Sequence, residues 1–159
     1  MYFIKNYDMK KYAIVTVLMQ ILAACSTNYS DFEDDSAMQL AKDFANAYFN
    51  CNYQEALDYV TPESEKWLRF AASNITQEDI ELLNAKEEGA EISTDDIMRI
   101  NDTTAIVSLS VRNFLLKDSI GRPGHIEDEG TYQLAIIYHN KKCRIRMEGL
   151  PRNERQSHD

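Results

Sequence analysis

Residues 105–112 read AIVSLSVR, and their alternation decides the class of fold. Ala105, Val107, Leu109 and Val111 fall on one side of an extended chain, and Ile106, Ser108, Ser110 and Arg112 fall on the other. A period of two belongs to a strand with one buried face and one wetter face. The same period returns downstream, where Tyr132, Leu134, Ile136 and Tyr138 alternate with Gln133, Ala135, Ile137 and His139. Asn140-Lys141 turns the chain into Lys142–Leu150, with Cys143, Ile145 and Met147 on one side and Arg144, Arg146 and Glu148 on the other. Ile92–Ile100 supplies a first strand. Gly121-Arg122-Pro123-Gly124 marks a loop expected between Asp118 and Glu129.

Ahead of the strands the period changes. Ser36 is expected to cap a helix reaching about Asn50, with Leu40, Phe44, Ala47 and Tyr48 as its inward stripe and Gln39, Lys42, Asp43 and Asn46 facing out. Asn52 with Glu55 can cap a short second helix, Tyr53–Val60. Thr61-Pro62 opens a third, because the missing N–H of proline is harmless at the first helical position. Trp67, Phe70 and Ala71 share a face of that helix. Thr76 and Asp79 form a capping-box pattern ahead of a fourth, and Gly89 closes the helical half. Helices followed by a meander predict an α+β fold, with N-terminal helices packed on one face of a curved antiparallel sheet of about four strands.

The first residues carry an address. Lys10 and Lys11 precede an apolar run, Tyr12–Leu22, broken by Thr16 and Gln20. A positive start, a short hydrophobic centre and small residues at its end are the parts of a secretory signal, and the run is shorter than the ~20 residues needed to span a bilayer. Leu22-Ala23-Ala24-Cys25 resembles the lipobox of bacterial lipoproteins. That resemblance implies cleavage after Ala24, a diacylglycerol on the Cys25 sulfur and usually a further acyl chain such as palmitate on the new amino terminus. MKKYAIV from Met9 reads as a more ordinary signal start than MYFIKNYD from Met1, so the initiator is open between the two.

The expected organisation is a signal peptide over 1–24, an acidic tether over 25–35, one domain over 36–150 and a polar tail over 151–159. Removing Lys5, Lys10, Lys11 and Asp8 with the signal takes the 17 basic and 26 acidic side chains to 14 and 25, a net charge of −11. Such a chain is repelled by phosphate backbones, so nucleic acid is excluded as a partner. It is repelled by anionic head groups too, which leaves the lipid to hold the membrane. Ser26 after the cysteine and acids at 31, 33, 34 and 35 resemble lipoproteins sent to the outer membrane and its surface, and the same acids also suit a solvated spacer. The expected location is the cell envelope, outer membrane rather than inner.

The phrase AMQLAKDFANAYFNCNYQEALDYVTPES, residues 37–64, followed by a closing sheet, resembles the nuclear-transport-factor-2-like (cystatin-like) lipoproteins of bacteria. The resemblance covers roughly 36–150 and implies a cone, in which helices close over a bent sheet and leave a pocket at the wide end. This chain has Asn50-Cys51-Asn52 where a Gly-Asp turn is commoner in that group. The fold hosts isomerases, dehydratases, binding modules and scaffolds, so it does not decide the activity.

Tyr48, Tyr53 and Trp67 are the candidate pocket lining, with ordinary core packing as the other reading of the same aromatics. Glu55, Asp58, Asp95 and Asp96 are the acids available to a base, and no spacing places them in a cavity. His125, His139 and His158 lack the spacing of a metal site, and no phosphate loop, dinucleotide fingerprint or nucleophile elbow occurs. No catalytic residue, metal or cofactor is therefore assigned. Arg112, Arg144 and Arg146, with Lys142, form the basic cluster of an acidic protein. Cross-strand acids such as Glu127 and Glu129 would neutralise it; otherwise it is a docking face for an acidic partner or for a second copy of the chain. Cys51 and Cys143 could pair outside the cytoplasm.

Two functions follow. The first is a non-catalytic binding or interaction module, anchored in the envelope, that serves a small ligand, an envelope protein or its own dimer. The second is a small pocket enzyme of the isomerase or dehydratase kind, which requires a buried carboxylate of raised pKa.

Overall fold

The computed structural model describes residues 33–154. The expected signal segment, Cys25 and most of the expected tether lie outside them, as does His158. Among the described residues four α-helices precede four strands: α1 (Asp34–Phe49), α2 (Tyr53–Ala56), α3 (Glu65–Ser73), α4 (Gln77–Ala85), then β1 (Glu91–Asn101), β2 (Thr104–Leu116), β3 (His125–His139) and β4 (Lys142–Arg146). The strands form one antiparallel sheet in the order β1-β2-β3-β4. The fold is the expected α+β, and two register shifts in β1, at Thr94/Asp96 and Arg99/Asn101, bend its edge as bulges do.

α1 starts earlier than its sequence predicts. Its N-cap is Glu33, Asp34 and Asp35 occupy the first turn, and Ser36 donates to the Glu33 carboxylate (3.3 Å) instead of capping. Acids beside the positive end of a helix are stabilising, and Asp34 also pairs with Arg99 of β1 (2.7 Å). The buried face is Ala37, Ala41, Phe44, Ala45, Ala47 and Phe49; Leu40 and Tyr48 are half-buried beside it. The small residues let α1 lie close to the sheet, over Val107, Leu109, Val111, Ile136 and Ile145 of the common core. α1 ends in a Schellman motif: Cys51 adopts φ 60°, its N–H bonds to the Tyr48 carbonyl (3.0 Å), and the Asn52 N–H reaches Ala47 (2.8 Å).

The inward face of α3 is Leu68 and Ala71, which corrects the expected Trp67-Phe70-Ala71 stripe. Trp67 is half-buried at the border of the core and Phe70 is exposed, while Leu68 and Ala71, three residues apart on one face, point inward. The 3-10 turn Pro62–Ser64 ahead of α3 closes the free edge of β4. The Thr61 N–H donates to the Ile145 carbonyl (3.0 Å), and the Met147 N–H donates to Ser64 Oγ (2.8 Å). An edge strand otherwise offers unpaired groups to any other chain.

β3 begins at His125, so the β2–β3 loop is shorter than the expected 118–129; His125–Glu129 pair instead with Leu116–Arg112. The tail also differs from expectation. Asn153 is buried and its Oδ1 accepts from the Thr131 N–H (3.4 Å), so residues 151–154 belong to the fold. Gly130 makes room for this contact, since a Cβ there would lie 2.8 Å from Asn153 Nδ2 and 3.0 Å from the Phe114 ring.

Candidate functional site

The C-terminal end of α1 and the strand ends beneath it enclose a cavity of about 290 Å³. Tyr48, Phe49, Cys51 and Tyr53 wall it from the helices, Tyr132 from β3, and Leu115–Ile120 from the end of β2 and the loop that follows. Ala71, Asn74 and Ile75 close one flank, and Leu150 and Pro151 another. Its volume is close to the lower end for small-molecule sites, at roughly 300 Å³.

The wall is an aromatic cluster. Tyr48 stacks on Phe44 and meets Phe49 and Tyr53 edge-on at 5.1 and 5.5 Å; Phe49 lies 4.6 Å from Tyr132 and 5.4 Å from Phe114. Each such pair adds about 1 kcal/mol to the burial of the rings. Burial pushes the Tyr48, Tyr53 and Tyr132 phenols well above their ordinary pKa, with Tyr132 and Cys51 adding to the effect on Tyr48. Burial also raises the Cys51 thiol, which accepts a hydrogen bond from Tyr53 Oη (3.8 Å). All four groups are therefore neutral near pH 7: they can exchange hydrogen bonds with a ligand, and Cys51 is a poor nucleophile.

The carboxylates near the cavity are two. Asp118 stands on the rim, mostly exposed, 3.4 Å from His125 Nδ1. Asp79 lies behind the rim and is fully buried. Burial by itself raises its pKa, but hydrogen bonds from the Gly124 N–H (2.7 Å), Lys117 Nζ and the Thr76 N–H (2.8 Å) outweigh that and lower it to about 2. The capping box read from the sequence is present, and Asp79 uses it to hold the β2–β3 loop as well. Only the distant partners, Lys117 and Gly124, were beyond sequence reasoning; a capping acid beside a later lysine carries no spacing that joins them.

Of the three aromatic candidates, Tyr48 and Tyr53 line the cavity and Trp67 does not. Trp67 borders a separate groove along the β4 edge with Lys66, Ile137, Arg146 and Met147, and Lys66 Nζ sits 5.2 Å from its ring centre. The basic face is also divided. Arg112 stands between Glu91 of β1 and Glu129 of β3 in register, whereas Arg146 stands across from Ala135 and Arg144 across from Ile137. Ala135 is paired with Ile106, so about six residues of β2, or roughly 20 Å, separate Arg112 from Arg146. Arg146 further bonds to Glu148 (2.8 Å). Asp95 and Asp96 lie exposed on β1, and Glu55 and Asp58 are exposed on and just after α2, none of them in the cavity wall. Cys51 and Cys143 are both free; Cys143 pairs in register with Tyr138 beside the β3–β4 turn, at the end of the sheet away from the cavity. Among the described residues, no group of His, Cys, Asp and Glu is arranged to hold a metal, and no helix is long and apolar enough to cross a membrane.

No family model matches the chain, and no curated protein matches it. Among solved structures it is similar to a chain described as an "Ntf2 like protein involved in plasmid conjugation", at 15% identity and a TM-score of 0.40. The match covers 76% of this chain and 48% of that one, so this chain spans about half the length of that neighbour.

Proposed function

We propose that the protein is a non-catalytic binding module, tethered to an envelope membrane through a lipid on Cys25, that takes a small and mainly apolar ligand into the aromatic cavity. The observation that carries the reading is the cavity wall: apolar rings interrupted by phenols and a thiol that all keep their protons. Such a wall binds by burial and orients by a few hydrogen bonds. The LAAC stretch supports the anchor.

The enzyme reading needs a carboxylate poised near neutrality inside the cavity. Asp118 is exposed on the rim, and Asp79 is held ionised by the Gly124 N–H, Lys117 and Thr76, which favours binding over proton transfer. The test is mass spectrometry of the protein taken from membranes in mild detergent. The expected result is a diacylated amino-terminal Cys25 peptide and a small apolar molecule that leaves on organic extraction. Ile75→Trp, which fills the flank of the cavity, should arrive without that molecule. An unmodified Cys25 would remove the anchor. A cavity empty in the wild type, with no extract component raising its melting temperature, would remove the ligand.

A further inference from the structure

α1 links two opposite ends of the domain. At its start Asp34 is pinned to Arg99, two residues before the end of β1; at its finish Asn50 Oδ1 accepts from the Ala90 N–H (2.8 Å), just before β1 begins. Helix and strand therefore run antiparallel, and the chain enters the domain beside the β1–β2 turn. The β3–β4 turn lies at the same end, because the Tyr138 N–H donates to the Thr103 carbonyl (2.7 Å). The aromatic cavity lies at the other end, with the β2–β3 loop. The 16 residues of α1 set the two ends about 24 Å apart.

The entry end carries exposed apolar side chains that nothing in the domain covers. Met98 and Ile100 are 55% and 54% exposed, on the edge strand just ahead of the turn. Lys141 and Lys142 are exposed on the neighbouring turn. Eight residues, 26–33, separate Cys25 from α1. Whatever their conformation, they reach at most about 30 Å when fully extended, little more than the length of α1. Turning the cavity end toward a bilayer would require the connecting chain to run back along the domain nearly straight.

We infer that the turn end of the domain rests on the phospholipid surface through Met98 and Ile100, so that the cavity opens away from the membrane toward the aqueous side. This rests on the lipidation of Cys25. The contact is apolar and not electrostatic: Lys141 and Lys142 are exposed at this end, but so are Glu33, Asp35 and Asp102, so Met98 and Ile100 carry it. The ligand is accordingly one delivered from water or by a soluble partner, not one drawn directly from the bilayer.

Hydroxyl-radical footprinting of the lipidated full chain on phosphatidylethanolamine/phosphatidylglycerol vesicles, against the Cys25→Ser chain in solution, reads both ends at once. Labelling of Met98 and Ile100 should fall severalfold on vesicles, while Ile120, 73% exposed on the cavity rim, stays unchanged. Protection should survive dilution of the protein across the vesicle surface. A Cys25 peptide without lipid would overturn the anchor and this inference together. Lipid present with Met98 labelled as in solution, or with Ile120 protected instead, would overturn the orientation alone. Protection lost on surface dilution would assign Met98 and Ile100 to a second copy of the chain and also overturn it.

Discussion

Asp79 concentrates the polar energetics of the fold in one side chain. Its pKa falls from 3.8 to about 2, so the folded state holds the carboxylate charged where the unfolded chain would not. A depressed folded pKa contributes stability that is present above about pH 4 and lost as pH falls toward 2, and the contribution is about 2 kcal/mol. Urea titrations of Asp79→Asn between pH 2 and 7 should lack that acid-side loss, while the wild type shows it. Asp79→Ala leaves Lys117 facing a hole and should cost about 3–5 kcal/mol at pH 7. Lys141 is a second informative residue. With Asn140 it takes positive φ (62° and 51°), the conformation of a two-residue hairpin turn, at an exposed site. Lys141→Gly should raise stability by about 1 kcal/mol, measured as a higher denaturation midpoint at unchanged slope. Asn140-Lys141 was legible as a turn from its position between two alternating runs; the role of Asp79 was legible only as far as its own helix.

At the scale of elements, the sequence pattern placed every helix and strand and misjudged their ends. β2 and β3 each run several residues past the clean alternation, because pairing between them continues to Leu116 and His125 whatever the side chains there favour. The Thr61-Pro62 helix start is real, yet its structural weight lies in closing the β4 edge. Ser64→Ala leaves the Met147 N–H buried without an acceptor and should cost about 1–3 kcal/mol. Slowed hydrogen exchange at Met147 in the wild type, lost in the variant, would confirm the assignment. An unchanged melting temperature would refute it. Trp67 shows why helical periodicity alone misplaces a residue: Trp67 and Leu68 are adjacent on the helix, and which of the two is centred on the core is decided by how α3 packs and not by the period.

At the scale of the molecule, two properties act together, a strong negative charge and a chain that enters the described domain at the end remote from the cavity. Because the acidic body and an anionic surface repel, the proposed lipid on Cys25 is the term that would hold the protein to membranes. Cys25→Ser should move it quantitatively to the aqueous fraction after a high-salt wash, read by flotation with vesicles; retention would mean that a protein face carries the attachment. The alternation of Ala105–Val111 and the helical stripe of α1 are local patterns, and they were sufficient for the fold class and the order of elements; the LAAC stretch is a local pattern of the same kind, and the anchor proposed from it awaits the Cys25→Ser test. Which aromatics share a cavity, why Arg112 stands apart from Arg146, and how Asp79 meets Lys117 depend on strand register and helix rotation. Those are settled by packing between segments tens of residues apart, and the tertiary structure alone decides them.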